Sequence, residues 1–198
     1  RPSGIALDHD NTLLVVDAQN HRIQRFTMAG EFLKKWGSYG AGDGQLNSPW
    51  GVASHNSGDV YITDWRNDRV QVFSHDGEFI RGWGISGSGD GEFNRPAGIA
   101  VDCDGDVYVA DWHNNRVQVF DATGQFITQL IGEATMSQWG AQLMDANPIM
   151  AEQRRNAKYP ELETRLFLPR GVKVDDQNRV VIVDSCKGRL QIYRKLSD

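Results

Sequence analysis

The chain has 198 residues, 39% of them hydrophobic and 24% charged, enough for one domain with a sizeable core. Its 21 basic and 26 acidic side chains leave a net charge of −5, so nothing in bulk attracts a phosphate backbone, and nucleic acid is an unfavoured partner. No run approaches the roughly 18 apolar residues of a membrane-spanning helix, so membrane insertion is not expected.

The first unit opens at Pro2 with a short strand, GIALD, followed by a polar turn. A second strand, LLVVD, ends at Asp17; a loop leads to Arg22 and a third strand, RIQRF. Gly30 turns the chain into a fourth strand, EFLKKWG, the most polar of the set and so an outer edge. The same series returns three times. Its openings are Pro2, Pro49, Pro96 and Pro169, its aspartates Asp17, Asp64, Asp111 and Asp184, and its arginines Arg22, Arg69, Arg116 and Arg189. Each landmark advances by 47, 47 and 73 residues. Four antiparallel strands repeating every 40 to 50 residues or so make a propeller blade. The prediction is an all-β propeller in one domain, 1–198, with four visible four-stranded blades at about 2–48, 49–95, 96–132 and 169–198. The fourth stops at LQIYRKLSD, without a fourth strand. The third step is 26 residues longer than the others, which marks an insertion over 133–168. It reads as short and helical, broken near Pro148, and belongs over the face onto which the second-to-third-strand loops open, here the top.

The P-x-G-[IV]-A opening, the VYVAD second strand, the N-x-R-[VI]-Q-V-F third strand and the G-x-F-[IL] fourth strand together resemble the NHL repeat family. The resemblance covers nearly the whole chain outside the insertion. It implies a ring of about six blades. The chain is therefore expected to be a fragment of a longer propeller, with missing blades closing the ring; a four-bladed ring and a ring completed by a second chain are the alternatives. It starts at Arg1-Pro2 without methionine, which either processing or truncation would explain, so no compartment is read from it. The family includes lyases, RNA binders and protein-interaction modules, so the resemblance fixes fold more firmly than function. Peptidylglycine lyases of similar fold hold zinc through histidines near the blade openings. Ser3, Trp50, Ala97 and Arg170 stand there instead, so that metal site does not carry over to the visible blades. RNA-binding NHL domains of tripartite-motif proteins present basic top faces; here only Arg66, Arg170 and Lys187 are scattered there.

The recurring Asp17, Asp64, Asp111 and Asp184 are read as structural. Each is expected to cap its own turn and to pair with the arginine five residues on, Arg22, Arg69, Arg116 or Arg189. Residues that break the repeat are the better candidates. Trp50, Trp65 and Trp112, with Arg66, His113, Arg170 and Lys187, fall at equivalent top positions and form the expected binding face. His9, His55 and His75 belong to bottom turns and His21 and His113 to the top, with no metal-ligand spacing. Asp102, Asp104 and Asp106 resemble a calcium loop without its terminal glutamate and read as an Asp-Gly turn. Cys103 at the bottom and Cys186 at the top are not expected to meet. The glycine-rich connections lack the lysine of a phosphate loop and read as linkers. No catalytic constellation, metal set or cofactor is expected. The favoured reading is a scaffold binding a protein, peptide or glycan on its top face; a metal-dependent lyase or hydrolase and RNA binding are the alternatives.

Overall fold

The computed structural model describes residues 1–132 and 164–195, with residues 146, 147, 149, 152 and 156 between them. The expected helical insertion at 133–168 lies for the most part outside the described residues. Blade one comprises β1 (Pro2–Leu7), β2 (Leu13–Asp17), β3 (Arg22–Phe26) and β4 (Phe32–Trp36). Blade two comprises β5 (Val52–Ser54), β6 (Val60–Asp64), β7 (Arg69–Phe73) and β8 (Phe79–Trp83). The linker after it folds on itself as a small parallel pair, β9 (Ile85–Ser86) and β10 (Glu92–Phe93), which the sequence reading left as plain connection. Blade three holds β11 (Pro96–Val101), β12 (Val107–Asp111), β13 (Arg116–Phe120) and β14 (Phe126–Leu130). Blade four has three strands, β15 (Gly171–Val174), β16 (Arg179–Asp184) and β17 (Arg189–Arg194). Within every blade neighbouring strands pair antiparallel in sequence order.

The interior strands carry almost no polar alternation because both faces of an intermediate blade are covered. In β6, Val60 and Ile62 face blade one and pack on Leu14, Val16 and Ile23. Tyr61, between them, faces blade three with Val70 and Val72, against Ile99, Val107 and Val109. Blade three meets blade four the same way, with Tyr108, Val117 and Val119 against Val172, Val180 and Ile182. The flanks of the series differ. Ile5 and Leu7 on blade one are 67% and 59% exposed, and Leu190 and Ile192 on blade four 60% each.

Near the axis the blades approach too closely for side chains. A Cβ on Gly98 would lie 2.7 Å from the Arg170 carbonyl oxygen and 2.8 Å from Gly171 Cα. At the rim, Gly124 combines a φ of +91° with a ring below it, since a Cβ there would meet Trp83 at 2.6 Å.

The repeat aspartates of blades two, three and four tie each of these blades to the linker that precedes it. Asp111 accepts from Arg116 Nε (2.8 Å), Asn114 Nδ2 (2.9 Å) and Gln118 Nε2 (3.2 Å) on one oxygen, and from the Asn94 backbone N–H (2.8 Å) on the other. Arg116 reaches on to the carbonyls of Gly89 and Glu92, and Asn114 to that of Gly87. Asp64 repeats this with Arg69, Asn67, Gln71 and the Asn47 N–H; Asp184 with Arg189, Gln191 and the Phe167 N–H. The expected capping of the aspartate's own turn does not occur at Asp17, Asp111 or Asp184: Asp111 and Asp184 take a linker N–H instead, and Asp17 the N-terminal ammonium. Burial pushes the Asp64 and Asp111 carboxyls above the usual carboxylate range, against these donors. At Asp17, on the open flank, desolvation is outweighed by hydrogen bonds from Asn20, Arg22 and the N-terminal ammonium, and the carboxyl falls below that range.

The bottom turns are clasped between blades. Asp8 of blade one is buried and accepts from Ser54, His9 and Arg25 Nη2, with His75 of blade two beside it. At the equivalent place in blade three, Lys195 of blade four sits 2.9, 2.7 and 2.8 Å from Asp102, Asp104 and Asp106. That aspartate cluster is a turn bound by an ammonium, with the Asp104 and Asp106 N–H groups donating to Asp102. Both cysteines are free.

Three outcomes follow for stability. Asp111→Ala leaves the Arg116 guanidinium, 7% exposed, without its anion, and should cost about 3–5 kcal/mol in urea titration, well beyond Asp17→Ala on the exposed flank. Gly98→Ala should cost about 1–3 kcal/mol through backbone displacement. Desolvation at Asp8 is outweighed by its hydrogen bonds from Ser54 and His9 and by Arg25, so its carboxyl lies below the ordinary 3.8. A depressed carboxyl contributes stability that is complete above its unfolded value and is lost as pH falls through the folded one. Urea midpoints followed below pH 4 should therefore drop less steeply for Asp8→Asn than for the wild type.

Candidate functional site

Three tryptophans stand in a row on the top face. Trp65 and Trp112 occupy the same repeat position, directly after the buried aspartates that end β6 and β12, so the aspartate staple sets where each indole starts. Trp50 follows the blade proline and is fixed through its backbone, its N–H donating to the Thr63 carbonyl at 2.9 Å. Thr63 in turn accepts from the Gly51 N–H at 2.7 Å and donates to the Ala97 carbonyl at 2.6 Å, joining blades two and three beneath the row. Ring centroids are 5.8 Å apart for Trp50–Trp65 and 6.1 Å for Trp65–Trp112, with interplanar angles of 34° and 32°. His113 stacks on Trp112 at 4.2 Å.

Guanidinium groups accompany the indoles. Arg66 lies 5.9 Å and Arg95 4.7 Å from the Trp65 ring centroid, and Arg170 lies 5.1 Å from that of Trp112. Cation–π contacts at these distances contribute about 0.5–2 kcal/mol each. Arg95 escaped the sequence reading because it precedes the blade proline, outside the positions compared there. Its backbone supplies the reason for its placement: φ is +60°, and its N–H donates to Asp68 Oδ1 at 2.7 Å. Ser48 and Leu168 adopt the same left-handed conformation before their prolines, donating to His21 Nδ1 and Asn115 Oδ1. The arginine thus rides on a recurring backbone latch, and His21 serves in that latch.

Two cavities open on this row. One, about 200 Å³, is lined by Trp50, Trp65, Ala97, Trp112 and Arg170. Beside it, one of about 330 Å³ shares Trp50 and Trp65 and adds Arg1, Ser3 and Arg66. Among the described residues no aspartate or glutamate lines either. Lys187 lies in the blade-four turn Ser185–Lys187 and lines neither cavity. The four repeat aspartates with their arginines are consumed in the staples below.

The histidines the sequence reading called scattered come partly together. His9, His75 and Asp8 place ligand-type atoms within 4.8 Å of one another at the bottom. The Arg25 guanidinium stands among them, 2.6 Å from the His75 ring nitrogens and 2.5 Å from Asp8, so a cation already balances that carboxylate. The cluster was missed because its members come from different blades, 67 positions apart for Asp8 and His75.

A family model described as NHL repeat matches residues 1–26, 46–73, 93–120 and 168–193. Protein brain tumor of Drosophila melanogaster is 44% identical over 48 residues, which is 24% of this chain and 5% of that protein. Among solved structures, a structural genomics protein of unknown function from Bacteroides thetaiotaomicron superposes with a TM-score of 0.68 at 20% identity, covering 98% of this chain and 47% of that one. A streptogramin B lyase structure gives 0.56 at 13%, covering 98% and 54%. The RRP9 WD40 repeats give 0.58 at 9%, covering 98% and 51%. The chain thus spans about half the length of these structures, and at such identities the likeness is one of fold.

Indoles at these separations couple electronically. The far-ultraviolet circular dichroism of the protein should carry an exciton couplet near the indole band. Trp65→Phe, which removes the middle ring, should abolish it, whereas Trp83→Phe at the blade interface should leave it.

Proposed function

The chain belongs to the NHL repeat family, and from that premise we propose that it is a binding scaffold whose top face takes a segment of a protein partner. One observation carries this reading: a contiguous row of three indoles flanked by Arg66, Arg95 and Arg170, with no carboxylate among the described residues lining its cavities. Tryptophan and arginine supply most of the energy in protein interfaces, and here they cluster in concave, largely apolar ground. The guanidinium groups favour a segment that pairs an apolar side chain with acidic groups. A glycan is the weaker fit. Stacked sugars need acceptors for their hydroxyls, and among the described residues the smaller cavity offers no carboxylate or amide side chain, the adjoining one only Gln19. The apolar flanks of blades one and four belong to the same reading, as surfaces for further blades or a second chain that completes the ring.

RNA is the second reading, favoured by the same indole and guanidinium pairing, which suits base stacking. It predicts affinity that falls steeply with salt, one phosphate contact after another.

A random peptide library selected on the immobilised protein tests the proposal. Selected peptides should combine an aromatic or aliphatic residue with nearby carboxylates, and Trp65→Ala with Trp112→Ala should weaken them about tenfold or more, near 1.4 kcal/mol. Peptides that bind the doubly substituted protein as well as the wild type contradict it.

A further inference from the structure

The two top cavities adjoin across Trp50 and Trp65, which line both. Taken in series they suit an extended segment lying along the indole row. From Trp50 to Trp112 the ring centroids advance in steps of 5.8 and 6.1 Å, each about two residues of an extended chain at roughly 3.1–3.4 Å per residue. The polar groups along the row are mostly donors. Indole and guanidinium carry N–H groups and no acceptor. Among the described residues, Trp50, Trp65, Trp112 and Arg170 supply every polar side chain of the smaller cavity. The Nε1–H groups of Trp50 and Trp65 are neither buried nor hydrogen-bonded among the described residues, whereas that of Trp112 is buried. The backbone carbonyls of Trp50 and Ala97 already accept from the hydroxyls of Ser3 and Thr63. Gln19 and Ser48 bring side-chain acceptors at the larger cavity only.

We propose that the indole row takes a proline-rich segment of a partner protein, in the polyproline II conformation, with acidic residues flanking the prolines. The inference rests on the top face being a protein-docking site. It deepens that reading by naming the segment's chemistry and conformation. An ordinary extended segment carries an N–H at every residue. Laid on a surface of donors, those groups lose water and meet no acceptor, which is costly. Proline has no N–H to satisfy. A polyproline II strand makes no internal hydrogen bonds, so it presents carbonyls that are free to accept from Trp50, Trp65 and the guanidinium groups. Its pyrrolidine rings lie on the indole faces, and its conformation is formed before binding, which lowers the ordering cost. Charge sets the flanks. Arg66 and Arg95 stand 5.9 and 4.7 Å from the Trp65 ring centroid, and Arg170 5.1 Å from that of Trp112. None of the three forms an ion pair with a carboxylate among the described residues, although the chain has a net charge of −5. Glutamate or aspartate beside the prolines supplies those anions through charge-assisted hydrogen bonds.

The test uses three fluorescein-labelled peptides, titrated with the full chain and read by anisotropy. The first is a run of prolines between glutamate pairs. The second has leucine at alternate positions of that run, which keeps the apolar bulk and restores N–H groups. The third keeps the prolines and has lysine in place of glutamate. The first should bind about tenfold or more tighter than either of the others. Trp65→Ala should remove most of its affinity, Trp83→Phe at the blade interface should leave it unchanged, and Arg95→Gln should narrow the gap between the glutamate and lysine peptides. Near-ultraviolet circular dichroism establishes that the variants retain the fold. Equal binding of the proline and leucine peptides overturns the inference, as does equal binding of the glutamate and lysine peptides, or failure of every peptide to bind. If peptides selected from the random library carry no proline and still lose affinity with Trp65→Ala, the docking reading stands and this inference alone falls.

Discussion

The structure depends on a buried carboxylate that is shared between a blade and the linker entering it. The apolar contact between propeller blades is non-directional and sets no register by itself. The aspartate closing each second strand adds direction. One oxygen gathers the side chains of the following Asn-x-Arg-x-Gln run, and the other takes a linker N–H, so strand, turn and linker are fixed by one group. The arginine then satisfies linker carbonyls that would otherwise be unpaired. Breaking such a network at Asp111 leaves the buried Arg116 guanidinium without its anion.

The candidate site follows from this frame by asymmetry. The residue after each staple aspartate is free of structural duty, and the chain uses alanine, tryptophan, tryptophan and serine there in blade order. Two blades therefore carry an indole at a position the staple has already placed, and Trp50, tied through Thr63 to Ala97, completes the row. The same holds for Arg95, which occupies a latch position filled by serine and leucine in other blades. The candidate site is made of residues that vary on a backbone that does not.

The fold was legible because its two periods are both local: alternation within strands and a 47-residue step between landmarks. The top-face tryptophans were legible for a related reason, since residues at one repeat position share a height and a face. What could not be read were contacts set by the angle between blades. Asp8 meets His75, and Asp102 meets Lys195, across 67 and 93 positions: the aspartates share a repeat position, but their partners do not. The linkers were misjudged as passive because their order comes from the arginine and asparagine that grip them, which lie in the next blade. Similarly, the aspartate was expected to serve its own turn, the nearest source of N–H groups, when the linker brings better-placed donors.

Covered and uncovered surfaces divide the molecule by role. Between blades, apolar residues are buried in three equivalent clusters; on the outer flanks the equivalent residues are exposed and suit propeller-like neighbours. The top cavities, by contrast, are concave, bordered by cation, and suit a smaller occupant. Amide hydrogen exchange of the protein with and without a bound peptide ligand separates these surfaces most directly. Protection confined to the segments around Trp50, Trp65, Arg95, Trp112 and Arg170 is the result this account predicts. Protection at the bottom turns or on the outer strands, with those segments unchanged, would contradict it.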